Sequence, residues 1–360
     1  MTEQQLHSIR ERIDALDREI QTLISERARC AQQVAEVKQA AGGAIEYYRP
    51  EREAQILRQI MARNKGPLRD EDMARLFREI MSYCLALEKP LNVVFLGPEG
   101  TFTQAAAVKH FGHAVNTRAL RAIDEVFREV EAGAADYGVV PVENSTEGVV
   151  NHTLDMFLQS PLGICGEVQL RIHHHVIGYA PELRAIQRIY SHPQSLAQCR
   201  EWLGLNLPDC EQITVSSNGE AARRVKDEPD AAAIAGQCAA EIYELPVIAA
   251  NIEDEPHNTT RFLIIGNHSI PPTGQDKTAL LVSAKNRPGL LYRLLEPIAR
   301  GGHNMTRIES RPSRRGVWDY VFFIDLEGHR SDPALAQTLQ ELEQEASLFR
   351  VLGSYPRGVL

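Results

Sequence analysis

Apolar residues recur in steps of three and four along the amino-terminal part of the chain, and only Arg27 interrupts the series. This spacing predicts one long helix of about 50 Å with a heptad-like apolar face. Shorter helical patterns follow from Pro50 and from Asp70. Two short helices cannot cover so long a face, so the pattern favours a homodimer in which two long helices share a core. The members of the series are Leu6, Ile9, Ile13, Leu16, Ile20, Leu23, Cys30, Val34 and Val37.

Beyond about residue 90 the pattern changes to short apolar runs that alternate with helical periods, as far as about residue 265. This alternation is typical of an α/β domain with mainly parallel sheets, and it leaves open whether there is one sheet or two lobes. The expected strands are 93–96, 137–142, 231–235, 247–249 and 261–265. The expected helices begin at about residue 104 and also span 124–131, 148–159, 194–203 and 219–226.

The last part of the chain follows a β-α-β-β-α-β order, which is the ferredoxin-like pattern. Its expected elements are strand 278–284, helix 290–300, strands 305–310 and 318–326, helix 333–346 and strand 350–352. Residues 269–276, which include two prolines, are typical of a linker. The sequence therefore predicts three domains, at 1–90, 91–268 and 277–360.

The 360-residue chain carries a formal net charge of −9, and the excess of acidic residues lies beyond Lys89. This charge disfavours a phosphate-binding nucleic-acid surface. No apolar run approaches the roughly 20 residues that a membrane span needs, and the charged amino terminus lacks the apolar segment of a signal peptide. The 6 cysteines are scattered without a Cys-x-x-Cys pair, which is typical of reduced thiols. We therefore expect a cytoplasmic protein with neither nucleic-acid nor membrane partners.

Several charged residues lie on or beside the inward faces of the first three predicted helices. On a helical wheel Lys38 is only about 20° from Arg27, whereas Arg10 is about 100° away. One helix therefore cannot direct Arg10 and Arg27 at the same point. In a dimerisation module these long side chains would simply extend to water. Burying several unpaired cations is costly, however, and the set favours an anionic ligand inside the bundle.

Four short motifs in this region read Ile-Arg-Glu-Arg-Ile at 9–13, Glu-Arg at 26–27, Val-Lys at 37–38 and Arg-Pro-Glu-Arg-Glu at 49–53. With them the region resembles the all-helical chorismate mutase family along its full length. The resemblance implies the rearrangement of chorismate, a dicarboxylate with an enol ether, to prephenate. Such a step needs no nucleophile, because the enzyme holds a compact conformer and stabilises charge on the ether oxygen.

The resemblance also implies roles for the charged residues. Arg27, and Arg10 from the partner subunit, would hold the two carboxylates, while Lys38 would meet the ether oxygen and Glu53 would accept the ring hydroxyl. Lys38 and Glu88 are the expected catalytic residues, and Glu88 could help at the ether oxygen only when protonated, because a carboxylate donates no hydrogen bond. The full expected set is Arg10, Arg27, Lys38, Arg52, Glu53, Cys84 and Glu88.

In the middle of the chain, polar motifs follow several predicted strands, where α/β proteins gather their ligand sites. A glycine-rich turn at 97–102 precedes a helix and could seat an anion. Similar loops occur at 141–148, 191–195 and 258–262. Each of them alone could be ordinary loop and capping chemistry. The consecutive histidines at 173–175 do not predict a metal site, because neighbouring strand residues point to opposite faces.

Taken in order, these motifs resemble the prephenate dehydratase family over about residues 92–268. The resemblance implies two α/β lobes like those of a periplasmic binding protein, with chain crossings near 168–178 and 245–250. It also implies loss of carbon dioxide and of the ring hydroxyl from prephenate, with Thr260 as the catalytic hydroxyl and Arg261 as the carboxylate anchor or its support. Either Glu143 or His192 could assist Thr260. The expected site comprises Thr101, Glu143, Asn144, Ser145, Ser191, His192, Thr260, Arg261 and Phe262.

The carboxyl-terminal part carries Glu-Ser-Arg-Pro at 309–312 and Pro-Gly-Leu-Leu at 288–291. It resembles the ACT regulatory domain that accompanies prephenate dehydratases. The resemblance implies that L-phenylalanine binds between subunits and inhibits the dehydratase. Its expected contacts are Gly289, Leu290, Leu291, Asn304, Glu309 and Ser310.

The leading hypothesis is therefore one polypeptide that converts chorismate to prephenate and prephenate to phenylpyruvate under feedback control. It needs no cofactor or metal, and its expected partners are these substrates, L-phenylalanine and a second copy of the chain, with pairing into a tetramer left open. The alternatives are a non-catalytic amino-acid sensor and a dehydratase whose helical domain only dimerises. The costly polar groups that neither alternative needs, Arg27, Lys38, Glu53 and Thr260, favour the enzyme. The expected fold is accordingly a dimeric all-α bundle, a two-lobed α/β domain and an α+β ACT domain.

Overall fold

The computed structural model describes residues 3–41, 47–284, 288–312 and 320–359. The helical domain consists of α1 (Glu3–Ala41), α2 (Pro50–Arg63) and α3 (Asp70–Glu88). At 39 residues, α1 is about 58 Å long, and both α1 and α2 pack on α3. Most of the apolar face of α1 is uncovered in the single chain. Its exposed members are Leu6, Ile9, Ile13, Leu16, Ile20, Leu23, Val34 and Val37.

The two-lobed domain follows. Its strands are β1 (Asn92–Leu96), β2 (Asn116–Leu120), β3 (Tyr137–Asn144), β4 (Gly148–Val149), β5 (Gly163–Arg171), β6 (His175–Ile177), β7 (Arg188–Ser191), β8 (Glu211–Thr214), β9 (Ala231–Ala235), β10 (Val247–Ala249) and β11 (Thr259–Gly266). Its helices are α4 (Phe102–Phe111), α5 (Ile123–Glu131), α6 (Asn151–Phe157), α7 (Pro193–Gln198), α8 (Arg200–Asn206), α9 (Asn218–Val225) and α10 (Gln237–Ile242).

These strands form two separate sheets, which answers the question that the sequence rhythm leaves open. The first lobe has the order β2-β1-β3-β11-β5 with β4 beside β3, and the second has β10-β6-β9-β7-β8. The expectation of mainly parallel sheets is wrong, because β11 pairs antiparallel with both β3 and β5, and β6 pairs antiparallel with β9 and β10. The chain leaves the first lobe after Arg171 and returns to it at Thr259. The returning strand, β11, runs in the opposite direction to its neighbours β3 and β5.

Three further details differ from the expectation. The helix expected at 148–159 spans only α6, because Gly148 has positive φ and pairs with Asn144 as part of β4. The helix expected at 194–203 is two helices, since Cys199, with φ −121° and ψ 18°, interrupts it. The return crossing lies between Ala249 and Thr259 rather than at 245–250. The polar edge strands β2 and β8 have largely exposed faces and therefore lack an apolar signal.

The carboxyl-terminal domain contains β12 (Asp276–Ser283), α11 (Leu290–Arg300), β13 (Met305–Pro312), β14 (Tyr320–Glu327), α12 (Pro333–Glu345) and β15 (Leu348–Pro356), with the strand order β13-β14-β12-β15. One face of this sheet packs against α11 and α12. Its other face packs on the first lobe, where Leu281, Phe323 and Tyr355 share a core with Val140 and Leu263. The expected start of the third strand at Trp318 lies outside the described residues.

Among the described residues, no helix is both long enough and apolar enough to cross a membrane.

Candidate functional sites

The helical pocket is a space of about 480 Å³ between α1, the start of α2 and the end of α3. Arg27 and Lys38 enter it from α1, about three turns of the helix apart. Six of the seven expected residues line the pocket: Arg27, Lys38, Arg52, Glu53, Cys84 and Glu88.

The charges in the helical pocket are only partly paired. The Lys38 Nζ lies 3.4 Å from Glu88 Oε2, and the Arg78 Nε lies 3.2 Å from Glu53 Oε1. Burial raises the pKa of Glu53, although Arg78 opposes the shift. Within the described ranges, Arg27 and Arg52 form no ion pair. Two arginines are therefore available to an anionic ligand.

Arg10 lies apart from this pocket. It is exposed on α1 and is separated from Arg27 by about 26 Å of helix. An arginine side chain cannot cover that distance, so Arg10 does not reach the helical pocket of its own chain.

The sequence did not identify Tyr47, Tyr48 and Arg49 as pocket residues, but all three line it from the segment before α2. The Arg49 Nε donates to Glu51 Oε1 at 2.6 Å. Arg49 belongs to the Arg-Pro-Glu-Arg-Glu motif at 49–53. That motif was the signal that could have identified Arg49 as a pocket residue.

The interlobe cleft is a space of about 490 Å³ between the two sheets of the two-lobed domain. It is lined by residues of both lobes and of the two crossings. The expected residues that line it are Thr101, Asn144, His192, Thr260 and Phe262.

Asn144 and Thr260 sit opposite each other on paired strands. The Asn144 Oδ1 accepts the backbone N–H groups of Thr146 (2.9 Å) and Glu147 (3.0 Å), which fixes the orientation of its amide. Its Nδ2 therefore donates to Thr260 Oγ1 at 2.7 Å. An amide nitrogen donates hydrogen bonds and does not accept them. The Thr260 hydroxyl oxygen therefore accepts this hydrogen bond and keeps its own proton for another group.

The chain of hydrogen bonds between side-chain amides continues away from Thr260. The Asn144 Nδ2 also donates to Asn258 Oδ1 (2.8 Å), and the Asn258 Nδ2 donates to Gln198 Oε1 (3.0 Å). The His174 Nε2 lies 2.9 Å from that Gln198 oxygen, so it carries the proton. Burial lowers the pKa of His174, which favours the neutral ring. Sequence patterns gave no signal for Gln198.

Four expected residues do not line the interlobe cleft, namely Glu143, Ser145, Ser191 and Arg261. The Glu143 Oε2 pairs with Arg307 Nε of the carboxyl-terminal domain at 3.1 Å. The Ser145 Oγ accepts the N–H of Thr259 at 3.0 Å and braces the loop. Ser191 is fully buried behind the cleft, where its hydroxyl bonds to the Ile234 carbonyl and to Asn218 Oδ1. The Thr260 hydroxyl therefore bonds to Asn144, and among the described residues neither Glu143 nor His192 forms a hydrogen bond with it.

The structure places Arg261, the expected carboxylate anchor or its support, outside the interlobe cleft. Alternate residues of β11 point to opposite faces, so Arg261 points away from the side that Thr260 presents to the cleft. Its Nη1 donates to Asp325 Oδ2 (2.6 Å), its Nε to Glu167 Oε2 (2.9 Å) and its Nη2 to the Tyr355 hydroxyl (3.0 Å). Arg261 therefore joins the first lobe to the carboxyl-terminal domain.

With Arg261 turned away, no arginine or lysine of the described residues lines the interlobe cleft. Helices instead present their amino termini there, beginning beside Thr101, His192 and Ser217. The His192 Nδ1 accepts the Gln194 N–H, so the neutral ring carries its proton on Nε2. Exposed backbone N–H groups and the helix dipoles make these termini suitable for anions.

The three consecutive histidines diverge, although not as alternating strand residues, since His173 and His174 lie between β5 and β6. The His173 Nδ1 contacts Glu253 at 2.7 Å, and the His175 Nδ1 accepts the Asn251 N–H at 3.1 Å. The described residues contain no group of His, Cys, Asp and Glu that could hold a metal ion.

The expected effector residues lie in two places, at the start of α11 and on or just before the edge strand β13. Gly289 has φ +79° just before α11, and Leu291 is exposed. Asn304 precedes the edge strand β13, which carries Glu309 and Ser310.

Replacing Arg261 tests its interdomain role. Arg261→Met leaves the buried Asp325 without its guanidinium partner, so we expect the free energy of unfolding to fall by about 3–5 kcal/mol in urea titrations. Arg118→Met, which removes an exposed pair with Glu129, should cost less than about 1 kcal/mol. Unchanged stability with a large rise in KM for prephenate would instead restore Arg261 as a substrate anchor.

Family models match all three parts of the chain. The chorismate mutase type II model matches residues 9–89, the prephenate dehydratase model residues 93–270 and the ACT domain model residues 278–344.

Two similar proteins cover the whole length. The chain is 60% identical over 360 residues to the bifunctional chorismate mutase/prephenate dehydratase of Stutzerimonas stutzeri, with 99% of each chain covered. The protein of the same description from Pseudomonas aeruginosa is also 60% identical, with the same coverage. Among solved structures, the prephenate dehydratase of Arthrobacter aurescens in complex with L-Phe has 36% identity and a TM-score of 0.69, covering 74% of this chain and 90% of that one. The chain therefore belongs to the family of bifunctional chorismate mutase/prephenate dehydratases.

Proposed function

We propose that this chain rearranges chorismate to prephenate in the helical pocket and converts prephenate to phenylpyruvate in the interlobe cleft. L-Phenylalanine acts as a feedback inhibitor at the carboxyl-terminal domain. The observation that carries the proposal is the presence of two separate polar sites on one chain. One contains two arginines that form no ion pair within the described residues, and the other contains a hydroxyl that accepts from Asn144 and keeps its own proton for another group.

For the first reaction, Arg27 and Arg52 supply positive charge for the carboxylates of chorismate. Lys38 stabilises the charge that develops on the ether oxygen as the carbon–oxygen bond breaks. The Lys38 ammonium lies 3.4 Å from the Glu88 carboxylate, which holds it in the pocket. The Glu53 carboxylate accepts the ring hydroxyl, and the Cys84 side chain contributes to the wall.

For the second reaction, the bond from the ring to its carboxylate breaks and releases carbon dioxide. That electron pair enters the ring, and the bond to the ring hydroxyl breaks on the opposite side. The Thr260 hydroxyl donates a hydrogen bond to the departing oxygen, which leaves as hydroxide and takes a proton from solvent to become water. Asn144 supports this role because it already donates to the Thr260 oxygen at 2.7 Å.

The carboxylates of prephenate bind at the helix amino termini beside Thr101, His192 and Ser217. This assignment replaces Arg261, which is engaged by Glu167 and Asp325. The Nε2–H of neutral His192 supplies a further donor. Phe262 contributes the apolar wall under the ring.

The uncovered face of α1 supports a homodimer in which two copies of this helix pack together. Leaving this apolar face in water is unfavourable, because burying each leucine or isoleucine side chain contributes roughly 1.5–3 kcal/mol of stability. An antiparallel arrangement would carry Arg10 of one copy to the helical pocket of the other. The effector residues at the exposed edge of β13 are likewise suited to a site shared between subunits.

Separate substitutions should abolish the two reactions separately. We expect Arg27→Ala to reduce prephenate formation from chorismate by about 100-fold or more while sparing turnover of supplied prephenate. Thr260→Val should do the reverse, because it removes the hydrogen-bond donor and keeps the shape of the side chain. The matched control is Thr259→Val, since the Thr259 hydroxyl bonds to the His257 carbonyl. Loss of both activities in either variant would contradict independent sites.

Mixing two inactive variants tests the shared mutase site. If each site uses its own Arg27 and the partner's Arg10, Arg10→Ala and Arg27→Ala chains form heterodimers with one intact site. Random mixing then restores about a quarter of the wild-type mutase turnover. The control replaces the Arg10→Ala chain with the double variant, which supplies no intact site. Activity no higher than the sum of the two parents would exclude the proposed exchange of Arg10.

A further inference from the structure

The Glu53 carboxylate of the helical pocket is held by a residue that lies outside the expected substrate set. Arg78, on α3, has a side chain only 10% exposed, and its Nε donates to Glu53 Oε1 at 3.2 Å. Arg78 does not line the helical pocket, whereas Glu53 does. Glu53 therefore has one face toward the pocket and one toward this buried guanidinium.

The other side of Arg78 belongs to the two-lobed domain. Its Nη1 donates to the backbone carbonyl of Lys109 at 2.7 Å, in the last turn of α4. Carbonyls in a last helical turn lack intrahelical partners and carry partial negative charge, which suits a cation. The guanidinium therefore bridges a carboxylate of one domain and a helix terminus of the next.

Neighbouring contacts hold the same junction. The Glu79 Oε2 accepts the His113 N–H at 3.1 Å, and the Ser82 Oγ accepts the Ala114 N–H at 3.3 Å. A side chain at Gly112 would collide with Ser82, at 2.5 Å between the two Cβ atoms. One face of α3 is thus fitted to the end of α4, and the position of Arg78 depends on that docking.

From this geometry we propose that Arg78 is a positioning residue of the mutase reaction, and that the end of α4 holds it so that Glu53 stays an ionised acceptor for the ring hydroxyl. The inference rests on the proposed role of Glu53. It makes the mutase site dependent on the two-lobed domain, through a residue that touches no substrate.

The pH dependence of this arrangement also involves the other titratable groups around Glu53. Burial lowers the pKa of His110 to about 3, so His110 stays neutral, and it lowers that of Lys109 to about 8. Removing the Arg78 charge would raise the pKa of Glu53 further, because Arg78 is the group that opposes its shift. The loss should then be largest at low pH and shrink as the pH rises. The charged and titratable groups that border Glu53 or share its two cavities include Arg27, Lys38, Tyr48, Arg49, Arg52, Arg78, Glu88, Lys109, His110, Glu167 and Arg357.

The test is the profile of mutase kcat/KM against pH in the full chain. We expect Arg78→Gln to move the acidic limb to higher pH and to lower kcat/KM at least about tenfold on that limb, which corresponds to one pKa unit. Arg78→Lys keeps the charge and should leave the limb close to wild type. The matched control is Arg75→Gln, one turn earlier on α3 and 61% exposed, which should change nothing.

A double-mutant cycle covers the case in which Arg78→Gln alone does not fold. Glu53→Gln with Arg78→Gln removes both charges and leaves no unpaired buried ion. If Arg78 acts through Glu53, adding Arg78→Gln to Glu53→Gln costs less than about twofold. Additive losses, or a wild-type pH profile for Arg78→Gln, would overturn the inference. Wild-type mutase turnover is measured alongside, and its absence would instead refute the proposed function.

Discussion

The Arg261 guanidinium is enclosed by Glu167 of its own lobe and by Asp325 and Tyr355 of the carboxyl-terminal domain. A buried ion is tolerated only with partners, and here the partners come from different parts of the chain. Lys277 adds a second cation on Glu167 at 2.8 Å. Although burial opposes it, the two cations hold the pKa of Glu167 below its usual value. The strand that carries Thr260 is therefore fixed in place by the domain that is proposed to bind the effector.

The two sites meet the same physical problem in different ways. Chorismate and prephenate are both dicarboxylates, yet the helical pocket offers arginines and the interlobe cleft offers helix termini. At the helical pocket α2 begins with Pro50, which has no backbone N–H group, so cationic side chains supply the charge. In the two α/β lobes several helices begin at the interlobe cleft, so no cationic side chain is needed there. This difference follows from the two folds rather than from the ligands.

Sequence patterns predicted the three-part fold and most of the helical pocket, since Arg27 and Lys38 interrupt or flank an otherwise apolar face. They did not show where the Arg261 side chain lies, because a motif gives residue order and the strand decides which face each residue takes. The same limit applies to Glu143, which pairs with Arg307 more than 160 residues away. Gln198 and Arg78 gave no local signal, because their partners come together only in the folded chain.

The most direct measurement supplies chorismate to the intact protein and follows prephenate and phenylpyruvate over time, with and without L-phenylalanine. The account predicts that prephenate appears first and phenylpyruvate after it, and that L-phenylalanine slows the second product so that prephenate accumulates. Failure to form prephenate from chorismate would contradict the two-site account at its first step. Formation of prephenate without any phenylpyruvate would contradict it at the second.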